Sequence, residues 1–286
     1  MKNEDGHYVT KTDQLIKKRE KIGKTGLTQE QAAKKIGISN SHYNKIENNK
    51  IPPSKKARRK ISQAYGVEEH ELFTYKNNFI DMMKNENKEM ILQYIENNPD
   101  KVNGIDHSGK SVLQVAASLR YCEETKLLIE KGADPLYQSP DGSTCLIIAC
   151  KRGYTDIVET IFNTCKKEDI EKLLFELPDE NGNTAFLWAA REGRRNVCKF
   201  LIEMVQKNWP EKEADLIEDA NDKSKTAIMR ASGFNDIETI QLLLDHGADL
   251  TKKDYRGRRA ENIAGDNGHD RIFEFLKEKR LEQEID

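Results

Sequence analysis

Residues 104–111, GIDHSGKS, match G-x-x-x-x-G-K-[ST], the spacing of a phosphate-cradling loop in which backbone N–H groups and a lysine hold a nucleotide's phosphates. Lys110 would be the phosphate ligand, and the chemistry would be nucleotide hydrolysis. That chemistry has a structural requirement. A buried hydrophobic strand must run into the loop and a helix must open on its Lys-Ser, because this geometry aims the amides at the anion. What precedes Gly104 is EMILQYIENNPDKVN, in which Ile91, Leu92 and Ile95 recur at helical spacing. The segment predicts a helix where a strand is needed, so a phosphate loop is not expected.

No other residues suggest catalysis. There are no paired carboxylates, no Ser/His/Asp set and no metal-ligand spacing, so neither an enzyme nor a cofactor or metal site is expected. The five cysteines (Cys122, Cys145, Cys150, Cys165 and Cys198) are odd in number and include no C-x-x-C pair, which reads as small buried hydrophobes in a reducing compartment. With 36% hydrophobic and 34% charged residues, no apolar run of about 18 residues exists to span a membrane. The polar start MKNEDGHYVTK lacks the apolar centre of a signal peptide, so the expectation is a cytoplasmic protein without a membrane partner.

Charge divides the chain. Residues 1–75 hold 16 Lys and Arg against 9 Asp and Glu, a net +7, and the remainder holds 31 against 40, a net −9. Two domains with different partners are expected, 1–75 and 76–286, the basic one suited to a polyanion.

The second of these is a repeat. KSVLQVAA (110–117), STCLIIAC (143–150), NTAFLWAA (183–190) and KTAIMRAS (225–232) share a Ser or Thr, an apolar residue two positions on, then a small Ala. Ser111, Thr144, Thr184 and Thr226 lie 33, 40 and 42 residues apart, and a further 33 leads to Arg259 in RRAENIAG, a period with two insertions. Each unit opens on an Asp/Asn-Gly turn (PDGST, ENGNT, DYRGR). It continues through a polar turn (Gly153, Gly193, Gly233, Gly268) into a second apolar helix such as TKLLIEKGAD or ETIQLLLDHGAD. GIDHSGKS occupies the turn position of the first such unit, so Gly109 is its turn glycine and Ser111 begins its helix.

Over residues 77–280 this pattern resembles the ankyrin repeat, with its turn, Thr-Pro-Leu-His-x-Ala helix and second helix ending in Gly-Ala-Asp. About six units are expected, including a first capping element without the turn signature. The proline and histidine are replaced throughout, by Val112 and Gln114 in one unit and Ala227 and Met229 in another, and Glu261 stands where the last unit should have leucine. The resemblance implies a quasi-linear α-solenoid that binds an unknown protein partner through its groove. Candidate tip residues are His107, Tyr137, Arg191, Arg194, Arg195 and Phe234. Trp188, beside the histidine position, is expected in the core, with partner contact as the alternative.

The strongest signal lies in LTQEQAAKKIGISNSHYNKIENNKIPPS, residues 27–54. Thr28 with Gln31 makes a capping box opening a helix that buries Ala33 and Ile36, and Gly37 ends it at a tight turn. Ser39 caps a second helix, Asn40 to Glu47, ending at Asn48-Asn49, where asparagine can take the left-handed conformation. Two short helices and a glycine turn make a helix-turn-helix. Leu27–Glu30, Gly37–Ser39, Ile46–Glu47 and Pro53–Ser54 resemble the Cro/phage-repressor class of such domains. The resemblance implies a five-helix DNA-binding domain from about Asp13 to Phe73, ending in AYGVEEHELF. Its second motif helix would lie in the major groove of double-stranded DNA. Asn40, Ser41, Asn44 and Lys45 are then the expected base readers, asparagine suiting adenine and lysine suiting guanine. Gln29 would touch a phosphate, His42 could join either group, and Lys50 would lie among the DNA-binding residues. The family's buried Arg–Glu pair would be Arg19 with Glu47, given about three inserted residues at GKTG (23–26). Ala32 replaces the family's leucine and Arg58 an apolar residue, which predicts looser packing.

A separate argument comes from SKKARRK (54–60). Lys55 and Lys56 fall in the first turn of a helix capped by Ser54, where positive charge opposes the helix dipole at a cost of ~0.3–1 kcal/mol. A phosphate docked there reverses the sign.

The fold class expected is therefore all-α, a small helix-turn-helix domain followed by an ankyrin-repeat solenoid. The function expected is a sequence-specific DNA-binding transcriptional regulator of bacterial or phage type with a protein partner. An ankyrin-based adaptor or effector with weak or accessory nucleic-acid binding is the alternative. The resemblance leaves a homodimer on palindromic DNA open, and does not specify operator, partner, or activation against repression.

Overall fold

The computed structural model describes residues 7–10, 12–20, 27–48, 55–67, 73–76, 82–83, 88–106 and 108–283. The chain divides into two compact units, Met1–Met82 and Met83–Asp286. Among the described residues the fold is all-α apart from one short ribbon in the first unit.

In the first unit, strand β1 (His7–Thr10) pairs antiparallel with β2 (Phe73–Lys76), His7 opposite Lys76. Between them come helices α1 (Thr12–Glu20), α2 (Gln29–Ile36), α3 (Asn40–Glu47) and α4 (Lys55–Tyr65). The ribbon is not foreshadowed by the helical pattern, and it carries the first unit past residue 75. Phe73, expected to end a fifth helix, begins β2; residues 68–72 of that helix lie outside the described residues.

Helix α2 starts where the sequence expects it, with the Thr28–Gln31 capping box formed in both directions. Its end is Gly37, at φ 74° and ψ 45°, which folds the chain back so that Ile38 N–H also reaches Ala33 O. Leu15, Ala32, Ala33, Ile36, Tyr43, Ile46, Ala57 and Ile61 form the core, with Leu27, Ile38 and Val67 packed at its margin. Ala32 is fully buried, so the small residue sits where the helices meet. Arg58 is buried as well.

In the second unit the first helix with described bounds is α5 (Lys88–Asn97), followed by helix pairs α6 (Val112–Ser118) and α7 (Cys122–Glu130), then α8 (Cys145–Arg152) and α9 (Thr155–Thr164). An additional helix α10 (Lys167–Phe175) precedes the pair α11 (Ala185–Arg191) and α12 (Arg195–Asn208). Another, α13 (Glu213–Glu218), precedes α14 (Ala227–Ser232) and α15 (Ile237–Asp245), and α16 (Ala260–Asp266) with α17 (Asp270–Gln283) closes the series. The two spacings longer than 33 residues are thus explained: each insertion is a helix, burying Ile170, Leu173 and Leu174 in α10 and Leu216 and Ile217 in α13.

First helices stack on first helices, α6 on α8, α8 on α11, α11 on α14 and α14 on α16, and second helices form a parallel row. Six- to eight-residue helices are too short to be stable alone, so stacking must supply their stability. Ser111, Thr144 and Thr184 each accept the N–H three residues on, capping their helices. Glu261 is compatible with burial because Arg280 Nε of α17 reaches it at 2.9 Å. Gln114 binds its own unit to the next, its amide donating to Ser143 O at 2.6 Å while its oxygen accepts Ser111 N–H.

One of the polar turns is built differently from the others. Gly153, Gly193 and Gly268 are left-handed, but Gly233 is right-handed (φ −77°) and Asn235 (φ 63°) supplies the positive φ instead.

Candidate nucleic-acid interface

Helix α3 presents one face outward and roots the other. Ser39 Oγ accepts the His42 N–H and fixes its start. Tyr43, Ile46 and Glu47 are buried, whereas Asn40, Ser41 and Lys45 are exposed and Asn44 and His42 half-buried. At the other end Asn48 takes φ −92° and ψ 14°, so the expected left-handed asparagine is not found there; Asn49 lies outside the described residues. Lys60 Nζ donates to Gly37 O at 3.0 Å, tying the turn between α2 and α3 to α4.

The root of α3 is the Glu47 carboxylate, 1% exposed. Arg19 Nε of α1 donates to Glu47 Oε1 at 2.9 Å while its Nη1 donates to Leu27 O at 2.7 Å. The expected Arg–Glu pair is therefore formed, across the insertion at GKTG. Tyr43 OH donates to the same carboxylate at 3.3 Å and lies 2.9 Å from Tyr65 OH. Burial first, then the neighbouring hydroxyl, pushes the Tyr43 phenol far up, and burial raises Tyr65 as well, so both stay protonated. Between the two tyrosines either hydroxyl can be the donor.

The second carboxylate oxygen organises the surface. Gln29 Nε2 donates to Glu47 Oε2, Asn44 Nδ2 donates to Gln29 Oε1 at 2.8 Å, and Asn48 Nδ2 donates to Asn44 Oδ1 at 2.7 Å. A carboxylate only accepts, so it fixes the orientation of Gln29, and each amide then fixes the next. This network involves two of the residues expected at the site. Asn44 has one lone pair of its oxygen and one N–H engaged, which leaves one N–H and one lone pair for a base edge. Gln29 has its side chain turned onto Glu47 and Asn44, and its backbone N–H is one of the first-turn donors of α2 that have no partner within the helix. Together they tie α3 to α2.

The residues brought together on the outer face of α3 are Asn40, Ser41 and Lys45, beside the amino end of α2. Lys56 is exposed in the first turn of α4, which contains no acidic residue, so its charge opposes the dipole as expected. Lys50, the Ser54 cap and the Lys55 side chain lie outside the described residues. The residues missed by sequence reasoning are Tyr43, Tyr65, Asn48 and Lys60. Their partners are nonlocal or end-of-helix contacts that no residue period marks.

The GIDHSGKS loop is a repeat turn. Asp106 Oδ1 accepts the Ser108 and Lys110 N–H groups, Gly109 has φ 78°, and Ser111 caps the seven-residue α6. Backbone amides that would face a phosphate are spent on Asp106. Of the tip candidates, Arg191, Arg195 and Phe234 are exposed, while Tyr137 OH donates to Gly109 O and Arg194 Nε to Lys151 O. His107 lies outside the described residues. Trp188 is 8% exposed, its Nε1–H donating to Asp179 Oδ2 at 2.8 Å. No described helix is long and apolar enough to cross a membrane.

Comparison with known families agrees with this division. A helix-turn-helix model matches residues 15–72, and a model of ankyrin repeats in three copies matches 79–172, 138–211 and 165–254. Among curated proteins the chain is 32% identical over 149 residues to the transient receptor potential cation channel subfamily A member 1 homolog of Caenorhabditis elegans, covering 52% of this chain and 11% of that one. It is 28% identical over 171 residues to the ankyrin repeat and KH domain-containing protein mask-1 of the same organism, 59% of this chain and 6% of that one. With the mouse B-cell lymphoma 3 protein homolog the identity is 24% over 158 residues, 54% and 32% of the two chains. The chain thus spans about a third or less of the length of each of these relatives.

Proposed function

From a chain that belongs to the ankyrin-repeat family and carries a helix-turn-helix domain of the phage-repressor type, we propose a sequence-specific DNA-binding transcriptional regulator of bacterial or phage origin whose solenoid binds a protein partner. The observation that carries this reading is the outer face of α3. Asn40, Ser41 and Lys45 are exposed on a helix whose buried side is anchored through Glu47 to α1 and α2, and whose neighbour α4 carries exposed Lys56 in a first turn without acidic residues. Rigid presentation of polar side chains at the amino end of a short helix suits readout of base edges in a major groove. The role is one of binding, in two places, with no catalytic step.

A single observation favours a second reading, an adaptor whose basic domain binds nucleic acid weakly. Asn44, which would read adenine, is engaged by Gln29 and Asn48. Selection of bound sequences from random double-stranded DNA separates the two. An enriched motif is expected, and a palindromic one would indicate a homodimer with half-sites about 34 Å apart. Recovery of unenriched DNA at physiological salt would leave the adaptor.

A further inference from the structure

Although residues 76–286 carry net negative charge, cations gather on the stacked first helices. Three of them surround one indole. Lys151 Nζ at the end of α8 lies 3.8 Å from the Trp188 ring centroid, Arg191 Cζ at the end of α11 lies at 4.6 Å and Arg230 Cζ of α14 at 5.5 Å. Each is an attractive contact with the ring, yet together they set like charges side by side in three successive repeats. Arg230 is the least satisfied. Its Nε and Nη2 are buried without a hydrogen-bond partner, which costs free energy unless an acceptor arrives. Burial, and then the Arg191 guanidinium, pulls its pKa down to about 10.

The carboxylates at hand do not neutralise the cluster. Asp179 is held by the Trp188 indole, the Asn183 amide and two backbone N–H groups. Glu192 stands 3.8 Å from Arg191. Beside the indole an open cleft of about 480 Å³ has Lys110, Lys151, Arg152 and Arg194 around an apolar patch that includes Ile148. Among the described residues Lys110 and Arg152 make no ion pair.

We propose that this face of the solenoid binds an acidic peptide segment of its partner, one carboxylate seated among Lys151, Arg191 and Arg230 at Trp188 and the following residues lying in the cleft. This rests on the reading that the solenoid binds a protein. A peptide fits better than a nucleic-acid backbone because Asp141 and Glu192 share the cleft wall. They would repel a continuous row of phosphates but can be bypassed by spaced carboxylates.

The test titrates the full-length protein into a fluorescent glutamate decamer at 150 mM salt and follows anisotropy. Saturable binding is expected, absent with a glutamine decamer. Lys151→Ala with Arg191→Gln should weaken it about tenfold or more, as loss of charge-assisted contacts does. Lys126→Ala with Lys199→Ala, exposed lysines of second helices α7 and α12, should leave it unchanged. Removing like charge should not lower the melting temperature of the first double variant, which separates folding from binding. As a second variant, Arg230→Lys keeps the charge but loses the fork, and should weaken binding severalfold. Failure of the decamer to bind, or equal weakening by the two double variants, overturns the acidic-peptide assignment alone. A ten-nucleotide single strand that displaces the decamer and depends on Lys151 and Arg191 would overturn both this assignment and the protein-binding reading of the solenoid.

Discussion

In the first unit one carboxylate, Glu47, gathers side chains from three helices, Arg19 of α1, Gln29 of α2 and Tyr43 of α3, over 28 and 18 residues of chain for the first two. In the second unit Asp106, Asp179, Asn221 and Asp254 each hold the backbone N–H groups two and four residues further on. The first arrangement makes a surface depend on the whole domain. The second closes each turn on its own residues and joins it only to the adjacent turns, as Glu180 N–H does to Asp141 O, which suits an array whose stability is a sum over neighbours. A groove-reading helix gains from having one geometry, whereas a solenoid gains from tolerating variation repeat by repeat.

The largest effect that could break this comparison concerns Glu47. Glu47→Ala leaves Arg19 without its ion-pair partner and should cost ~3–5 kcal/mol, enough to abolish the folded first unit. Asp254→Ala in the last repeat turn should cost ~1–2 kcal/mol and act locally. Hydrogen exchange resolved by residue reads both: loss of protection throughout residues 12–65 for the first, and only around residues 254–266 for the second. Comparable, confined losses would erase the distinction.

Two turn glycines sharpen the account of the solenoid. Gly142 and Gly257 have the same φ of 74°, but a Cβ on Gly142 would sit 2.6 Å from Glu180 N, while nothing lies within 4 Å of one on Gly257. Gly257→Ala should therefore cost only the left-handed strain, ~1–2 kcal/mol. Gly142→Ala should cost ~3 kcal/mol, since neighbouring turns are pressed together there. Urea midpoints of the two variants give the difference, and equal shifts would mean that the turns do not pack as described.

On DNA the effects are smaller and differ in kind. Asn40→Ala or Lys45→Ala should cost ~1–3 kcal/mol on the preferred site and much less on random sequence. Lys56→Ala should weaken both similarly and flatten the dependence of log affinity on log salt by about one unit. Affinities for both DNAs at several salt concentrations decide it; equal losses for Asn40→Ala on the two DNAs would take α3 out of the groove.

The smallest expected effect is none. Lys110→Ala should leave nucleotide behaviour unchanged, because the loop amides are held by Asp106. Magnesium-dependent ATP binding lost on this substitution, measured by calorimetry, would restore the phosphate-loop reading.

What could be read beforehand was whatever is local or periodic. The Thr28–Gln31 box, the Gly37 turn, the Ser39 cap and the succession from Ser111 to Thr226 are set by residues within four positions of one another or by a repeating interval, and the structure carries them as expected. Even the rejection of GIDHSGKS needed only its neighbours. Local preference leaves other choices open: Asn48 ends α3 outside the left-handed region, and in the turn after α14 it is Asn235, not Gly233, that takes the positive φ.

Composition and spacing by themselves thus determined two units, the repeating helix pairs, the helix-turn-helix with the starts of its two helices, and the short list of surface residues on α3. Tertiary structure alone decided which polar groups on that list are free. Gln29 and Asn44 look like ligands in the sequence because an amide has the same donors and acceptors wherever it stands. They are engaged only because folding brings Glu47 beneath them, and a carboxylate removed from water must collect donors from any part of the chain within reach. The gathering of Lys151, Arg191 and Arg230 on one indole has the same origin. Residues 40 and 39 positions apart become neighbours when helices stack, and no local pattern records that distance.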